Sequence, residues 1–202
     1  MMDNGGVSFQ AAAILMASGF SKRFDGRSKL LALFRGKPLA RYTMELAAAL
    51  PFSGGIFLVA AAGEVAALAD DLPAIKVVRN LSPDRGLCES IRLGVEAAGI
   101  NVPYYLFFPC DQPFLDALTV GQIMEARGSD IIVEPRYKGK PGNPCLFPSL
   151  FRDELLSLED GQMPRVIKAR HPQVLRGVEV SNPFVLEDID DEDTLLRLEN
   201  YR

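Results

Sequence analysis

The chain has 202 residues, of which 48% are hydrophobic and 24% are charged, the balance of an ordinary globular protein rather than a disordered or fibrous one. A chain of this length can bury most of the apolar surface that its unfolded form exposes, without help from disulfides or metals. Its formal net charge is −4, whereas a nucleic-acid-binding protein usually carries a basic face. We therefore expect one domain and no nucleic-acid partner.

The cysteines and the N-terminus predict a cytoplasmic protein. The three cysteines are widely and irregularly spaced, without zinc-type pairs or a disulfide framework, which is typical of a reducing compartment. The first ten residues lack the basic and then apolar pattern of a signal peptide. The longest apolar run, residues 11–17, is too short to span a bilayer. We expect residues 1–9 to form a flexible leader, residues 10–202 to form the domain, and no membrane contact.

Short apolar runs alternate with amphipathic stretches along the chain. Runs bounded by Gly, Pro, Asn or Asp predict buried strands. They cover residues 11–17, 56–61, 75–78, 104–108 and 131–133. Stretches with helical spacing lie between them. The clearest cover residues 39–50, 64–70, 87–98 and 118–127. This alternation predicts an α/β domain with right-handed crossovers and a mostly parallel sheet, in which the ligand binds beyond the carboxyl ends of the strands.

The loop after the first predicted strand has the composition of a phosphate-binding site. Ala17, Ser18 and Gly19 are small enough for the backbone to approach a ligand closely, and backbone N–H groups there can cradle phosphate oxygens. Four cations follow within eight residues, and such charged donors suit a triphosphate. They are Lys22, Arg23, Arg27 and Lys29. The P-loop and GxGxxG patterns are absent, and a surface loop with solvated charges is the alternative.

A second candidate site follows the fourth predicted strand, which runs directly into Asp111. A carboxylate at the carboxyl end of a strand suits Mg²⁺, which prefers hard oxygen ligands. An ion bound there would bridge phosphate oxygens and neutralise the charge on departing pyrophosphate. The alternative is that Asp111 caps the following helix, since Asp is favoured at such positions. The residue pattern leaves both interpretations open.

Five segments, in order between residues 14 and 194, resemble the motifs of one enzyme family. Residues 16–29 resemble the LAAGxSxRMGxxK signature of Rossmann-like nucleotidyltransferases, and residues 110–113 resemble the DQP turn of the branch that handles the molybdenum cofactor. Residues 86–94, 139–147 and 188–191 resemble the motifs GxxxSlxxGl, GxxGxPvxf and DIDT. The chain thus resembles the molybdenum cofactor cytidylyltransferases. The resemblance implies a single Rossmann-like, three-layer α/β/α domain.

The activity that this resemblance implies is transfer of CMP from CTP to the terminal phosphate of a molybdopterin-type cofactor, with release of pyrophosphate. A molybdenum hydroxylase would be the client for the product. The implied nucleotide contacts are Ala17, Ser18, Gly19, Ser21, Arg23, Lys29, Gly86, Ser90 and Asp111. The implied catalytic residues are Arg23, Lys29 and Asp111; the implied Mg²⁺ ligands are Asp111 and Asp190, with Asp188 beside them; the implied acceptor contacts are Gly142, Pro144 and Arg165.

The resemblance favours cytosine but is incomplete. Guanylyl-specific members tend to have Gly-Gly where this chain has Ser18 and Gly19, so Ser18 and the Ser90 segment favour cytosine. The GDxGxR loop of the family is represented only by residues 159–165, in which Asp and Gly are transposed. Alternatives therefore stay open: a different acceptor (GTP-dependent guanylylation of molybdopterin, or a sugar or isoprenoid phosphate), or a protein that binds the molybdenum cofactor without catalysis.

The remaining reactive side chains are expected to be structural. Cys110 lies beside Asp111, where a contact with molybdenum is conceivable, but unpaired cysteines are among the most buried residues. His171 belongs to no nucleophile system with Ser, Cys or Asp. The reaction needs none, because an acceptor phosphate is itself a nucleophile and positioning carries the catalysis. The acidic residues 187–193 either bind metal or begin a helix whose dipole their carboxylates offset.

Overall fold

The computed structural model describes residues 8–18 and 28–201. The strands of this part are β1 (Ala12–Ala17), β2 (Leu33–Phe34), β3 (Lys37–Pro38), β4 (Ile56–Ala60), β5 (Ile75–Arg79), β6 (Tyr104–Pro109), β7 (Ile132–Tyr137), β8 (Lys140–Pro141), β9 (Cys145–Pro148) and β10 (Leu175–Glu179). The α-helices are α1 (Leu39–Ala49), α2 (Gly63–Ala67), α3 (Leu87–Ala98), α4 (Ala117–Glu125), α5 (Arg152–Leu156), α6 (Arg165–Arg170) and α7 (Glu192–Glu199). Short 3-10 helices include Lys29–Leu31, Pro83–Arg85 and Pro183–Leu186.

The main sheet has the strand order β10-β7-β9-β6-β1-β4-β5, and β8 pairs with β7. β1 lies between β6 and β4 and is parallel to both. The pairs β4–β5 and β7–β10 are also parallel, whereas β9 runs antiparallel to β6 and β7. β2 and β3 form a separate antiparallel pair. The prediction of a mostly parallel α/β sheet is confirmed.

β1 is apolar along its whole length because both faces of the sheet are covered. Ala13, Leu15 and Ala17 pack on one face, and Ala12 and Ile14 pack on the other. Side chains of α1, α2 and α4 cover the first face, and side chains of α3, α5 and α6 cover the second. A strand covered on both faces shows no alternation of apolar and polar residues. The predicted three-layer α/β/α arrangement is confirmed.

The close approach of α3 to β1 requires a glycine. A Cβ atom at Gly94 would lie 2.4 Å from Cγ2 of Ile14, far inside van der Waals contact, so a larger residue would push the helix away from the sheet. The buried side chains of Ile91 and Val95 fill the interface on either side of this contact. Because α3 is seated against β1, its N-terminal residues Gly86 and Ser90 come to the same cavity as Met16 and Ser18.

Several elements differ from the sequence prediction. β9 and β10 are not predicted from the sequence, because β9 is short and ends in a proline, while β10 contains Gly177 and exposed charged residues instead of an apolar run. The strand expected at residues 131–133 continues to Tyr137 through the buried Glu134. That carboxylate pairs with Arg136 of the same strand and with Lys168 of α6, and sequence periodicity does not show the second partner.

A small separate hydrophobic cluster holds the C-terminal segment against the rest of the domain. Phe34, Leu39, Ile189, Leu195 and Leu198 form a buried cluster between the β2–β3 pair, α1 and α7. This cluster anchors the acidic segment that precedes α7. No helix in residues 8–18 and 28–201 is both long and apolar enough to cross a membrane.

Candidate active site

A cavity of about 490 Å³ opens at the carboxyl edge of the central strands β1 and β6. Its described lining consists of Met16, Ser18, Lys29, Leu30, Pro83, Gly86, Leu87, Ser90, Phe107, Pro109, Asp111, Asn143, Cys145, Phe147, Met163, Pro164, Arg165, Lys168 and Asp188. The position agrees with the rule that ligands of such sheets bind beyond the carboxyl ends of the strands. The volume is that of a typical small-molecule site.

The strand order gives the cavity two sides. On one side lie the loop after β5 and the start of α3, which contribute Pro83, Gly86 and Ser90. On the other side lie the segment leading into β9 and helix α6, which contribute Asn143 and Lys168 among others. The end of β6 lies between them, because β6 separates β1 from β9 in the sheet. A ligand that fills the cavity therefore passes over Asp111, which follows β6.

A lysine bridges two carboxylates at the mouth of this cavity. Nζ of Lys29 lies 2.6 Å from Oδ2 of Asp111 and 2.6 Å from Oδ1 of Asp190. Burial alone lowers the pKa of Lys29, but its contacts with Asp111 and Asp190 outweigh burial and hold the pKa above its ordinary value. Lys29 is therefore a firmly protonated cation, as a triphosphate contact requires.

Asp111 does not cap the following helix. Helix α4 is capped by Asp116, whose side chain accepts a hydrogen bond from the backbone N–H of Thr119 at 2.7 Å. The main chain of Asp111 instead holds the C-terminal segment, since its carbonyl accepts from the N–H of Ile189 at 3.0 Å. This bond brings residues on both sides of Ile189, namely Asp188 and Asp190, to the same place.

Asp188 lies against the neighbouring glutamine. Nε2 of Gln112 donates to Oδ1 of Asp188 at 2.6 Å. Burial and the nearby carboxylate of Asp111 raise the pKa of Asp188 to about 6. Asp188 lines the cavity, while Asp190 contacts Lys29. Asp191 begins α7 as its N-cap, accepting from the N–H of Thr194 at 2.8 Å, so the acidic run serves both the site and a helix start.

The donor set at Asp111 fits a divalent cation. Oδ1 of Asp111 is buried and has no hydrogen-bond partner among the described residues, and Asp111 and Asp190 already hold one positive charge between them. No three His, Cys, Asp or Glu side chains cluster as a metal cage within residues 8–18 and 28–201. Mg²⁺ is commonly bound by one or two carboxylates, with water and phosphate oxygens completing its shell.

On the α3 side, hydrogen bonds fix the two serines. Ser18 donates its hydroxyl proton to the carbonyl of Val59 at 3.0 Å and is buried. Ser90 accepts from Nδ2 of the buried Asn80 at 3.3 Å, which leaves the Ser90 proton directed elsewhere. Asn80 was not predicted as a site residue; its position just after β5 was the available signal. The hydroxyl proton of Ser18 is therefore used in a hydrogen bond within the fold, whereas the hydroxyl of Ser90 can donate to a ligand.

The transposed Asp-Gly loop packs on the α3 side of the cavity. The N–H of Gly161 donates to the carbonyl of Arg85 at 3.0 Å, and Nε of Arg85 donates to Oδ1 of Asp160 at 3.0 Å. Gly86 has a φ of 91°, and a Cβ there would lie 3.6 Å from Gly161. The departure from the family motif therefore leaves this loop in contact with the expected nucleotide-binding loop.

The expected acceptor contacts are brought together only in part. Arg165 lines the cavity from α6, but in the β9 region the described lining residues are Asn143 and Cys145 rather than Gly142 and Pro144. Gly142 serves a packing role: a Cβ there would lie 2.2 Å from the carbonyl oxygen of Val185. Ala17 ends β1 beneath the cavity. Gly19, Ser21 and Arg23 lie outside the described residues.

The sequence analysis does not predict an ion pair between the cavity-lining Lys168 and the buried Glu134 behind it. Glu134 on β7 is 2% exposed, and Lys168 on α6 binds it with an Nζ–Oε2 distance of 2.7 Å. The available signal was the spacing of Arg165 and Lys168, three residues apart on one face of a helix.

Cys110 is buried, and burial raises the pKa of its thiol far above the usual range. His171 contacts Glu154 at 2.8 Å and stacks edge-on against Phe151, as a structural residue does.

Comparison with known proteins gives the family of this α/β protein. Residues 13–174 match the MobA-like NTP transferase domain, and the chain belongs to that family. It is 31% identical over 156 residues to a molybdenum cofactor guanylyltransferase from Ralstonia pickettii, covering 71% of this chain and 73% of the relative. A protein of the same name from Ralstonia nicotianae is 27% identical over 176 residues, covering 80% and 83% of the two chains.

Solved structures show the same fold. A nucleotidyl transferase from Methanothermobacter superposes with a TM-score of 0.79 at 24% sequence identity, covering 94% of this chain and 95% of its own. The predicted Rossmann-like class is thereby confirmed. The family is that of molybdopterin nucleotidyltransferases, but membership does not single out the cytidylyl branch, and both curated relatives bear the guanylyl name.

Proposed function

We propose that this protein transfers a nucleoside monophosphate from a nucleoside triphosphate to the terminal phosphate of the molybdenum cofactor. The observation that carries the proposal is the Lys29–Asp111–Asp190 cluster at the mouth of a two-sided cavity. The family match and the names of the two Ralstonia relatives support the acceptor. We infer that the product serves a molybdenum-dependent enzyme.

The chemistry requires alignment rather than a protein nucleophile. An oxygen of the acceptor phosphate attacks the α-phosphorus, a new P–O bond forms in line, and the bond to the bridging oxygen breaks with pyrophosphate as the leaving group. In this proposal the ammonium of Lys29 leaves the two aspartates for the triphosphate and offsets the charge on the departing pyrophosphate. Ser90 and the Gly86 loop hold the base, and Arg165 faces the acceptor.

We propose that Asp111 and Asp190 hold Mg²⁺. When bound, the ion supplies charge neutralisation of the phosphate oxygens. The buried Oδ1 of Asp111 supplies an acceptor atom for it, and Gln112 keeps Asp188 beside the pair through its 2.6 Å hydrogen bond. This assignment of residues follows from the donor atoms that the fold brings together.

GTP is the donor that the relatives favour, and CTP is a second candidate. The sequence argument for cytosine used Ser18, but the Ser18 hydroxyl proton goes to the carbonyl of Val59, which weakens a direct role in reading the base. Ser90, oriented by Asn80, can donate to an acceptor atom of either base. The Ser90 segment itself still resembles the cytidylyl motif, which is the observation that favours CTP.

The test is acceptor-dependent pyrophosphate release with each of the four nucleoside triphosphates, in the presence of Mg²⁺ and purified molybdenum cofactor. We expect release with GTP, or with CTP if the second candidate is right, and no release without the cofactor. Asp111→Asn should lower turnover by about a hundredfold to a thousandfold, the usual effect of losing one preorganised charge contact. Release that needs a sugar or isoprenoid phosphate instead would refute the acceptor assignment, and binding of the cofactor without any release would indicate a carrier.

A further inference from the structure

A charged cluster lies on the side of the cavity away from α3. Its members are Glu134 on β7, Arg136 on the same strand, and Lys168 on α6. Nζ of Lys168 is 2.7 Å from Oε2 of Glu134, while Nη2 of Arg136 is 3.1 Å from Oε1. Lys168 and Arg165, one turn earlier on the helix, both line the cavity.

The cluster has more positive charge than its own carboxylate can neutralise. Glu134 is 2% exposed, and burying a carboxylate requires a partner. Arg136 already supplies one cation through two hydrogen bonds to Oε1, so Lys168 is a second cation on one anion. If Lys168 served only to neutralise Glu134, this second charge would be unnecessary. The additional positive charge, that of Lys168, faces the cavity, although the chain as a whole has a net charge of −4.

The ammonium of Lys168 is also held in place and charged. Burial alone lowers its pKa, but the contacts with Cys145 and Glu134 outweigh burial and raise the pKa above its ordinary value. Nζ of Lys168 donates one of its three N–H groups to Glu134 and makes a second, weaker contact with Sγ of Cys145 at 3.8 Å. A compact ammonium on a side chain that is 19% exposed is suited to binding an anionic oxygen.

We propose that Lys168, positioned by Glu134, is a binding residue for the phosphate of the acceptor. Lys29 and Asp111 lie at the β1 and β6 end of the cavity, where the proposed triphosphate is held, whereas Lys168 lies over β7 and β9. In-line transfer brings the attacking oxygen from the side opposite the leaving pyrophosphate, and this arrangement places one cation on each side. The assignment rests on the proposed function for the identity of the acceptor.

The kinetic test compares Lys168→Met with Lys168→Arg, since the first removes the charge at similar length and the second keeps it. In Lys168→Met we expect KM for the molybdenum cofactor to rise by about tenfold or more while KM for the triphosphate stays within about twofold. Lys168→Arg should recover most of the loss. An unchanged cofactor KM in Lys168→Met, or an equal rise of both KM values, would overturn the assignment. A folding defect alone would lower the melting temperature without separating the two KM values.

A binding measurement separates this inference from the proposed function. Phosphorus NMR follows the binding of inorganic phosphate while a non-hydrolysable triphosphate analogue fills the nucleotide side. Phosphate should bind to the wild type and to Lys168→Arg, and bind at least about tenfold more weakly to Lys168→Met. If the wild type fails to use the molybdenum cofactor but this pattern is found, the acceptor is wrong and the anion site stands. Equal phosphate binding by all three proteins contradicts the anion site whatever the acceptor is.

Discussion

Replacing Gly142 with alanine tests how the fold positions the acidic residues of the site. The new Cβ would lie 2.2 Å from the carbonyl oxygen of Val185, whereas ordinary contact begins at 3.4 Å. One of the two backbones must therefore move by about 1 Å, and such overpacking costs about 1–3 kcal/mol. Val185 lies three residues before Asp188, so the displacement reaches the segment that carries Asp188 and Asp190.

The expected result of Gly142→Ala is a loss of both stability and activity. In a chain of this size each kcal/mol lowers the melting temperature by about 2–4 °C. A misplacement of about 1 Å at the reacting groups can cost about a hundredfold in rate. Circular dichroism melting and pyrophosphate release measure the two effects on one preparation.

Gly121→Ala is the matched control, because a Cβ at Gly121 meets nothing within 4 Å. Gly121 lies in α4, where alanine stabilises a helix by up to about 1 kcal/mol relative to glycine. This variant should melt at the same or a slightly higher temperature and retain full activity. A Gly142→Ala protein that behaves like the control would refute the idea that the Val185 contact positions the acidic segment.

Three further predictions concern single residues. Asp116→Ala removes the N-cap of α4 and the acceptor of the Asn182 amide at 2.8 Å, and should cost about 2 kcal/mol in thermal unfolding while kcat is preserved; a loss of activity without a loss of stability would contradict it. Burial raises the pKa of the Cys110 thiol, so very little of it is ionised at neutral pH. Because the thiolate is the nucleophile, iodoacetamide at pH about 8 should label Cys110 only after unfolding. Labelling of the native protein, detected by mass spectrometry, would contradict the burial of this thiol. Ser90→Ala should raise KM for the triphosphate by about fivefold to tenfold, the value of one hydrogen bond, with little change in KM for the cofactor; equal changes would remove Ser90 from the base side.

The parts of the fold that sequence reasoning predicts well are those with a clear local period. Helix α3 was expected at residues 87–98 and is found at Leu87–Ala98, because apolar residues recur there at helical spacing. The run that becomes β1 is continuous and bounded by small residues, and its prediction is confirmed within one residue. β9 is an antiparallel strand of four residues inserted between two other strands, and so short a run gives no reliable period.

Some residues of the candidate site can be predicted from the sequence, and others cannot. Asp111 follows a predicted strand directly, and Lys29 belongs to the cationic loop after the first predicted strand, so both were recognisable from the sequence. Their meeting with Asp190 depends on the packing of the C-terminal segment, which only the family motif indicated. Glu134 and Lys168 are 34 residues apart and meet because α6 packs beside β7. No local pattern contains that information, since a buried carboxylate in a strand has no sequence signature before its partner is known.

The most direct test of the central claim is to follow the phosphorus label of the triphosphate. The protein is incubated with molybdenum cofactor, Mg²⁺ and GTP or CTP labelled at either the α-phosphate or the γ-phosphate, and the cofactor is then separated. Nucleotidyl transfer predicts that label from the α-phosphate appears in the cofactor with one of the two nucleotides, and that label from the γ-phosphate appears only in pyrophosphate. Label from the γ-phosphate in the cofactor, or no labelled cofactor from either nucleotide with a folded protein, would contradict the account.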